Sequence, residues 1–383
     1  MIDKPVEPMI MTHLFKKASK LRIPLSGAFE ISPECNMSCK MCYAKLTKDQ
    51  MSKIGRKRTV EEWLDLARQA KEEGLLYILI TGGEPFLQPD FKKLYFGLKK
   101  MGFVISINSN GTLINEDIID WLSKDPPSRI NITLYGSSNE TYKKLCNNPK
   151  GFDQVTKAIM LLKNANIDVR LNASMTPENI DDIDEMYSFA SENKLIIKAG
   201  IYMFPPIRVN EDSFGKNNRF TSIEAGKYSV HNDTKIFDKD KFIKRAQRIT
   251  NEKFDDIEVI EDDYKILECE KLRCRAGKST FWMTWDGKMM TCGIMDKPIS
   301  YPFEVGFKNA WNEIVKKTDK LRLPFKCSNC KKSNICQVCA AVSYTETGNV
   351  SGVPTYMCEM TDEIIKETNR IYNQLLSKDK IFI

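Results

Sequence analysis

The chain has 383 residues and a formal charge of +7, with 58 Lys and Arg against 51 Asp and Glu, a length that supports one large domain beside a smaller one. No apolar run reaches the roughly eighteen residues of a membrane span, no signal-peptide order opens the chain, and no basic stripe interleaves with aromatics, so a cytoplasmic protein with no membrane and no nucleic-acid partner is expected. Twelve cysteines without a secretory signal point to metal binding or catalysis rather than disulfides, while two histidines, His13 and His231, supply little for zinc hydrolysis or acid–base work.

After an N-terminal extension (residues 1–25), strand-like and amphipathic helical runs alternate from 26 to 203. Ala28 to Ser32 reads as a first strand. Thr59, with Glu62 three residues on, reads as a capping box opening a helix that runs to Gly74. Then come Tyr77 to Thr81 (strand), Phe91 to Met101 (helix), Phe103 to Asn108 (strand) and Glu116 to Ser123 (helix). Ile130 to Tyr135 and Val169 to Met175 are strands around a helix over Phe152 to Asn164. Helix Ile180 to Asn193 and strand Leu195 to Tyr202 complete the series. Six β/α units predict an α/β fold, a partial (β/α)6 TIM-like barrel, with its site on the loops at the strands' C-terminal ends. Residues 204–263 read as a helical linker or insert, with helices near Ser222 to Val230 and Phe242 to Asn251. Residues 264–360 hold eight of the twelve cysteines. Residues 361–383 close the chain with a helix over Thr361 to Leu376.

Cys35-x3-Cys39-x2-Cys42 places three thiolates on one loop behind the first strand. A cubane cluster takes four ligands, so three thiolates leave one iron open, free to chelate the amino and carboxylate groups of a methionine moiety. The bland alternative is a zinc site whose fourth ligand lies elsewhere. Gly82-Gly83-Glu84-Pro85 follows the second strand and Ser109-Asn110-Gly111 the third, both on the same predicted face.

CNMSCKMC resembles the CxxxCxφC signature of the radical SAM superfamily, and Gly82, Gly83, Glu84 and Pro85 resemble its second motif. The resemblance implies a [4Fe–4S] cluster on Cys35, Cys39 and Cys42 that binds S-adenosylmethionine (SAM). It also implies that the Gly-rich turn and Glu84 meet the SAM amino group, and that Ser109 and Asn110 meet its ribose and carboxylate. Met41 stands at the usually aromatic φ position, with Tyr43 just after the last cysteine; a Met sulfur still covers an adenine face. By period-two alternation Thr133 and Tyr135, then Asn172 and Ser174, add inward polar groups.

The cysteines from Cys274 through Cys292, Cys327, Cys330, Cys336 and Cys339 to Cys358 are similar to the SPASM extension of radical SAM proteins, with Cys269 as an eighth. That resemblance implies two further [4Fe–4S] clusters, three in all. Cys269, Cys274, Cys292 and Cys339 would hold a proximal one; Cys327, Cys330, Cys336 and Cys358 a distal one. A zinc ribbon on CxxC-x5-CxxC is the alternative, and it leaves four cysteines without a role.

Relatives of this kind act on ribosomal precursor peptides. The resemblance implies a RiPP maturase (a modifier of ribosomally made peptides) that forms a thioether or carbon–carbon crosslink. An electron donor such as flavodoxin or ferredoxin is then required, and a separate leader-binding protein is an expected partner, since only about twenty-five residues precede the first strand. Cys146, left over after the cluster assignments, is the candidate hydrogen donor of a peptide epimerase, or else a small buried apolar residue. A sulfatase-maturase-like oxidase and a non-catalytic iron–sulfur partner protein are also open. Sulfatase maturases carry an acidic base after the cysteine matching Cys292; this chain has Gly293 there, with Asp296 the nearest carboxylate.

Overall fold

The computed structural model describes residues 6–251 and 272–379, so Cys269 lies outside the described residues. The capping box forms as its spacing predicts: Thr59 accepts from the Glu62 N–H at 3.2 Å, and Glu62 from the Thr59 N–H at 2.8 Å.

The barrel strands are β1 (Ser26–Glu30), β2 (Tyr77–Thr81), β3 (Val104–Ser109), β4 (Arg129–Leu134), β5 (Val169–Ser174) and β6 (Ile196–Gly200). They are all parallel neighbours, within two residues of the expected bounds. Around them run α1 (Val6–Leu21), α2 (Lys48–Ile54), α3 (Val60–Glu72), α4 (Phe91–Lys100), α5 (Glu116–Leu122), α6 (Asn139–Cys146), α7 (Gly151–Asn164) and α8 (Ile183–Glu192). Helices α1, α2 and α6 are not announced by the sequence pattern. Then follow α9 (Ser222–Ile236) and α10 (Lys239–Asn251), both helices expected in the linker.

The cysteine-rich half does not build a sheet of its own. β7 (Thr280–Met283) pairs parallel with β1, and β8 (Met289–Met290) and β9 (Ile299–Ser300) continue antiparallel, so one nine-stranded sheet runs β6-β5-β4-β3-β2-β1-β7-β8-β9. The remaining helices are α11 (Pro302–Val305), α12 (Phe307–Thr318), α13 (Phe325–Ser328), α14 (Ala340–Thr347) and α15 (Thr355–Asp379).

Alternation sorts the strand residues onto two faces. Ile80, Ile105, Ile107, Ile130, Ile132 and Leu134 have no exposed surface and join the core with the helices. Their neighbours face the concave side, where Asn131 donates to Asn108 at 2.8 Å and the register sets Thr133 beside Asn172. The concave wall is therefore polar and only half-buried, as a binding surface requires.

A buried ion pair fastens the last barrel strand to the cysteine-rich half. Arg219 meets Glu346 on α14 at 2.5 Å, with side-chain exposures of 7% and 6%. Tyr202, just past β6, also donates to Glu346, and the Arg219 guanidinium lies 4.0 Å from the Tyr356 ring centroid on α15. Removing one member leaves the other charged, buried and unpaired. Glu346→Ala is expected to cost about 3–5 kcal/mol, read as a lower denaturant midpoint at unchanged slope.

Candidate functional site

Three segments distant in sequence meet at the C-terminal ends of β1, β2 and β3. Gly83 N–H donates to Ser32 O at 2.7 Å and Glu84 N–H to Glu34 O at 2.9 Å, so the Gly-Gly-Glu-Pro turn lies edge to edge with the strand leading into Cys35. Both glycines are required by that contact. A Cβ at Gly82 (φ +145°) would sit 2.3 Å from Ser32 O, and one at Gly83 would sit 2.2 Å from Glu34 O. The structure uses these glycines for backbone approach to the cysteine loop.

Glu84 is 1% exposed and joins the second motif to the third. Its carboxylate accepts from Ser109 Oγ at 2.9 Å, from the Asn110 N–H at 2.7 Å and from the Phe86 N–H at 3.1 Å. Asn110 then turns back to the loop, donating from Nδ2 to Asn36 Oδ1 at 2.9 Å, with the Cys35 sulfur at 3.6 Å. Thr112 closes the ring: it donates to Asn110 Oδ1 at 2.7 Å and accepts from Asn36 at 2.8 Å. The other side of the loop rests on the end of α6, where Ser38 N–H donates to Cys146 O at 2.9 Å and Lys40 N–H to Leu145 O at 3.1 Å. Neither Asn36 nor α6 stood out in the sequence.

Burial pushes Cys35 up to about 11, and the nearby Glu84, Cys39 and Cys42 raise it further. Burial likewise raises Cys42. A hydrogen bond from the Cys146 thiol holds Cys39 below the usual range, and Tyr135 adds a second. Bringing three half-buried thiols together is costly for the anions unless a cation sits among them, and metal coordination deprotonates thiols outright. The donor set therefore fits an iron–sulfur cluster with one position left open.

The remaining expected residues fall in different places. Met41 is 6% exposed, within the core. Tyr43 faces a recess of about 250 Å³ toward the cysteine-rich half, shared with Glu30, Arg208, Asp286 and Asp296. Thr133, Tyr135, Asn172 and Ser174 lie on the concave face, half-buried. Cys146 follows the exit loop of β4, at the end of α6, with no exposed surface and beside Cys39.

Glu30 and Arg208 carried no motif, and only tertiary structure reveals them. Arg208 grips the Glu30 carboxylate at 2.8 and 2.9 Å and donates to Gly293 O at 2.7 Å, while Trp282 Nε1 donates to Glu30 at 2.8 Å. Gly293 is pressed on the Trp282 indole: a Cβ there would lie 2.4 Å from the ring.

The second cysteine set falls into two groups. Cys292 and Cys339 are raised by burial, and each also feels the Cys274 thiol. Burial pushes Cys327 up to about 12, with Cys358, Cys336 and Cys330 adding to the effect. Electrostatic influence thus links Cys292 and Cys339 to Cys274, and Cys327 to Cys330, Cys336 and Cys358.

Residues 29–190 match the family described as the Radical SAM superfamily. The chain thus carries a radical SAM domain over these residues, and its likeness to enzymes of that superfamily marks it as an enzyme. It is 23% identical over 327 residues to the AdoMet-dependent heme synthase of Methanosarcina barkeri, covering 84% of this chain and 93% of that protein. It is 22% identical over 311 residues to the sporulation killing factor maturation protein SkfB of Bacillus subtilis, covering 81% of this chain and 69% of SkfB. Among solved structures, Streptococcus suis SuiB bound to precursor peptide SuiA superposes with a TM-score of 0.62 at 18% identity, over 94% of this chain and 82% of SuiB. The structure of anSMEcpe with bound AdoMet gives a TM-score of 0.65 at 17% identity, over 93% and 96% of the two chains. The likeness in fold thus includes the cysteine-rich half. No described helix is long and apolar enough to cross a membrane.

Two outcomes are expected from this geometry. Burial, opposed by three hydrogen bonds to its anion, raises Glu84 from 4.5 to about 7. The folded state then holds a proton that the unfolded chain releases, so this contribution is complete below about 4.5 and lost as pH rises through about 7. Glu84→Gln is expected to flatten that loss, of roughly 3 kcal/mol, in denaturant unfolding measured from pH 5 to 8. Separately, Gly293→Asp forces a side chain into the Trp282 ring and is expected to lower the thermal midpoint, with partial recovery in the Gly293→Asp, Trp282→Ala double variant.

Proposed function

We propose that this enzyme modifies a ribosomally made precursor peptide, forming a thioether or carbon–carbon crosslink. The observation that carries the reading is the thiol triad, held by the Gly-Gly-Glu-Pro and Ser-Asn-Gly turns at the rim of a polar concave sheet. When bound, a [4Fe–4S] cluster and SAM supply a 5′-deoxyadenosyl radical able to take a hydrogen atom from substrate. The chain's own part is placement. Cys35, Cys39 and Cys42 hold the cluster; Ser109, Asn110, Thr133 and Asn172 line the approach. Peptide as the substrate class is supported by SkfB, a maturation protein, and by SuiB, solved with its precursor peptide. Two auxiliary clusters, on Cys269, Cys274, Cys292 and Cys339 and on Cys327, Cys330, Cys336 and Cys358, complete the reading.

Local geometry weighs against two rival chemistries. Cys146 has no exposed surface and bonds Cys39, which disfavours a hydrogen donor for epimerisation. The Trp282 ring occupies the space a side chain at 293 would need, and Asp296 is engaged by Tyr344 at 2.6 Å, which disfavours sulfatase-maturase chemistry. A heme-type substrate is the second reading, because the match to the Methanosarcina heme synthase spans 93% of that protein.

The test is anaerobic reconstitution with iron and sulfide, then SAM, reductant and a candidate ribosomal precursor peptide, in deuterated water. Roughly twelve iron atoms per chain are expected, falling to roughly eight when Cys35, Cys39 and Cys42 are all changed to Ala. Loss of two hydrogens from the peptide is the expected mass change. Gain of one deuterium without oxidation would mean epimerisation instead. Formation of 5′-deoxyadenosine with no change in any peptide, but conversion of a heme precursor, would favour the second reading.

A further inference from the structure

Cleaving SAM reductively consumes one electron per turnover, and that electron comes from outside the chain. We propose that an acidic one-electron carrier protein docks on the basic recess between α10 and the loop joining Cys330 to Cys336, beside the distal cysteine quartet.

The recess measures about 550 Å³ and is lined by Lys241, Lys244, Arg245 and Arg248 of α10, with Phe237 on one side and Ile335 on the other. Three of those cations, Lys241, Lys244 and Arg248, are exposed and fall at helical spacing, so they form one stripe. Lys326 and Lys331 are exposed on the segment that carries Cys327 and Cys330. Three acids near this region are already engaged. Asp238 pairs with Lys241 at 2.7 Å, Asp233 with Arg245 at 3.1 Å, and Asp362 with Lys332 at 2.7 Å. Lys244, Arg248, Lys326 and Lys331 have no ion-pair partner among the described residues.

The sulfurs explain the location. Ile335 immediately precedes Cys336, and Cys358 in the first turn of α15 is exposed. Lys326 lies within electrostatic reach of both Cys327 and Cys358. Electron transfer falls off steeply with distance, so a carrier needs a metal centre close to the surface it touches. Positive charge around that centre steers an acidic carrier to it and orients it, a contribution that salt screens. A substrate peptide, by contrast, must reach the concave face of the barrel. In the transfer itself one electron leaves the reduced iron–sulfur centre of the carrier, which is oxidised by one. A cluster held by Cys327, Cys330, Cys336 and Cys358 would be reduced by one, with no proton transferred and no bond formed or broken.

The inference rests on reading the distal quartet as a cluster site, and its first measurement is independent of peptide chemistry. Binding of an acidic ferredoxin to the purified full chain is measured by calorimetry at rising salt. Wild type is expected to bind and to weaken as salt increases, and Lys244→Glu with Arg248→Glu to weaken binding by about tenfold or more at low salt. With reconstituted protein, cluster reduction by reduced ferredoxin, followed by electron paramagnetic resonance, is expected to slow in that variant while reduction by dithionite does not. The milder Lys244→Gln, Arg248→Gln pair keeps the test valid should charge reversal unfold α10. Binding unchanged by either pair overturns the proposal. So does loss of binding only when Lys143 and Lys144, exposed on α6 beside the triad, are reversed to Glu. Absence of salt-sensitive binding by wild type overturns it too.

Discussion

The arrangement depends on a seam of backbone hydrogen bonds between the loop that carries the first three cysteines and the turn after β2. Ser32 O and Glu34 O each accept from that turn, and only glycine at 82 and 83 lets the two backbones come so near. Glu84 extends the seam to β3 through Ser109 and Asn110, and Asn110 returns it to Asn36 beside Cys35. Three sequence motifs are thereby one rigid body. A cluster held by thiolates on a loop gains its position only from such supports, because a cysteine side chain alone sets distance and not direction.

The same seam has a price in charge. A carboxylate with 1% exposure and three crowded thiols is tolerable when iron balances the anions, and the hydrogen bonds around Glu84 and Cys39 lower the remaining cost. Structure and cofactor would therefore be coupled: a cluster bound on this loop would also stabilise it.

The two halves of the chain join through β1, which pairs with β2 on one side and β7 on the other. At its end Glu30 receives Arg208 from the linker and Trp282 from β7, a buried junction between the triad and the second cysteine set. Tyr43 and its recess sit at this junction. The junction at the end of β1 is therefore built of paired, buried polar groups.

Much of this was legible in the residues themselves. The six barrel strands and most of their helices follow from hydrophobic period and capping, since Thr59 with Glu62, or alternating isoleucines, leave few conformations that bury apolar area and satisfy the backbone. The cysteine triplet with Gly82 to Pro85 identified the chemistry, because its spacing concerns one loop and one turn and is local. Three things were not legible. That Cys146 lies under Cys39 on a helix, that Met41 is core, and that Tyr43 looks toward the second cysteine set depend on which way a loop closes. The Glu30–Arg208–Trp282 junction joins residues up to 252 apart, with no spacing to betray it. Continuation of the sheet into β7 was equally hidden, because strands of two to four residues carry too little pattern to announce themselves. Local rules therefore decided the elements and the kind of metal chemistry; long-range burial and charge pairing, which no single segment encodes, decided how the site is assembled.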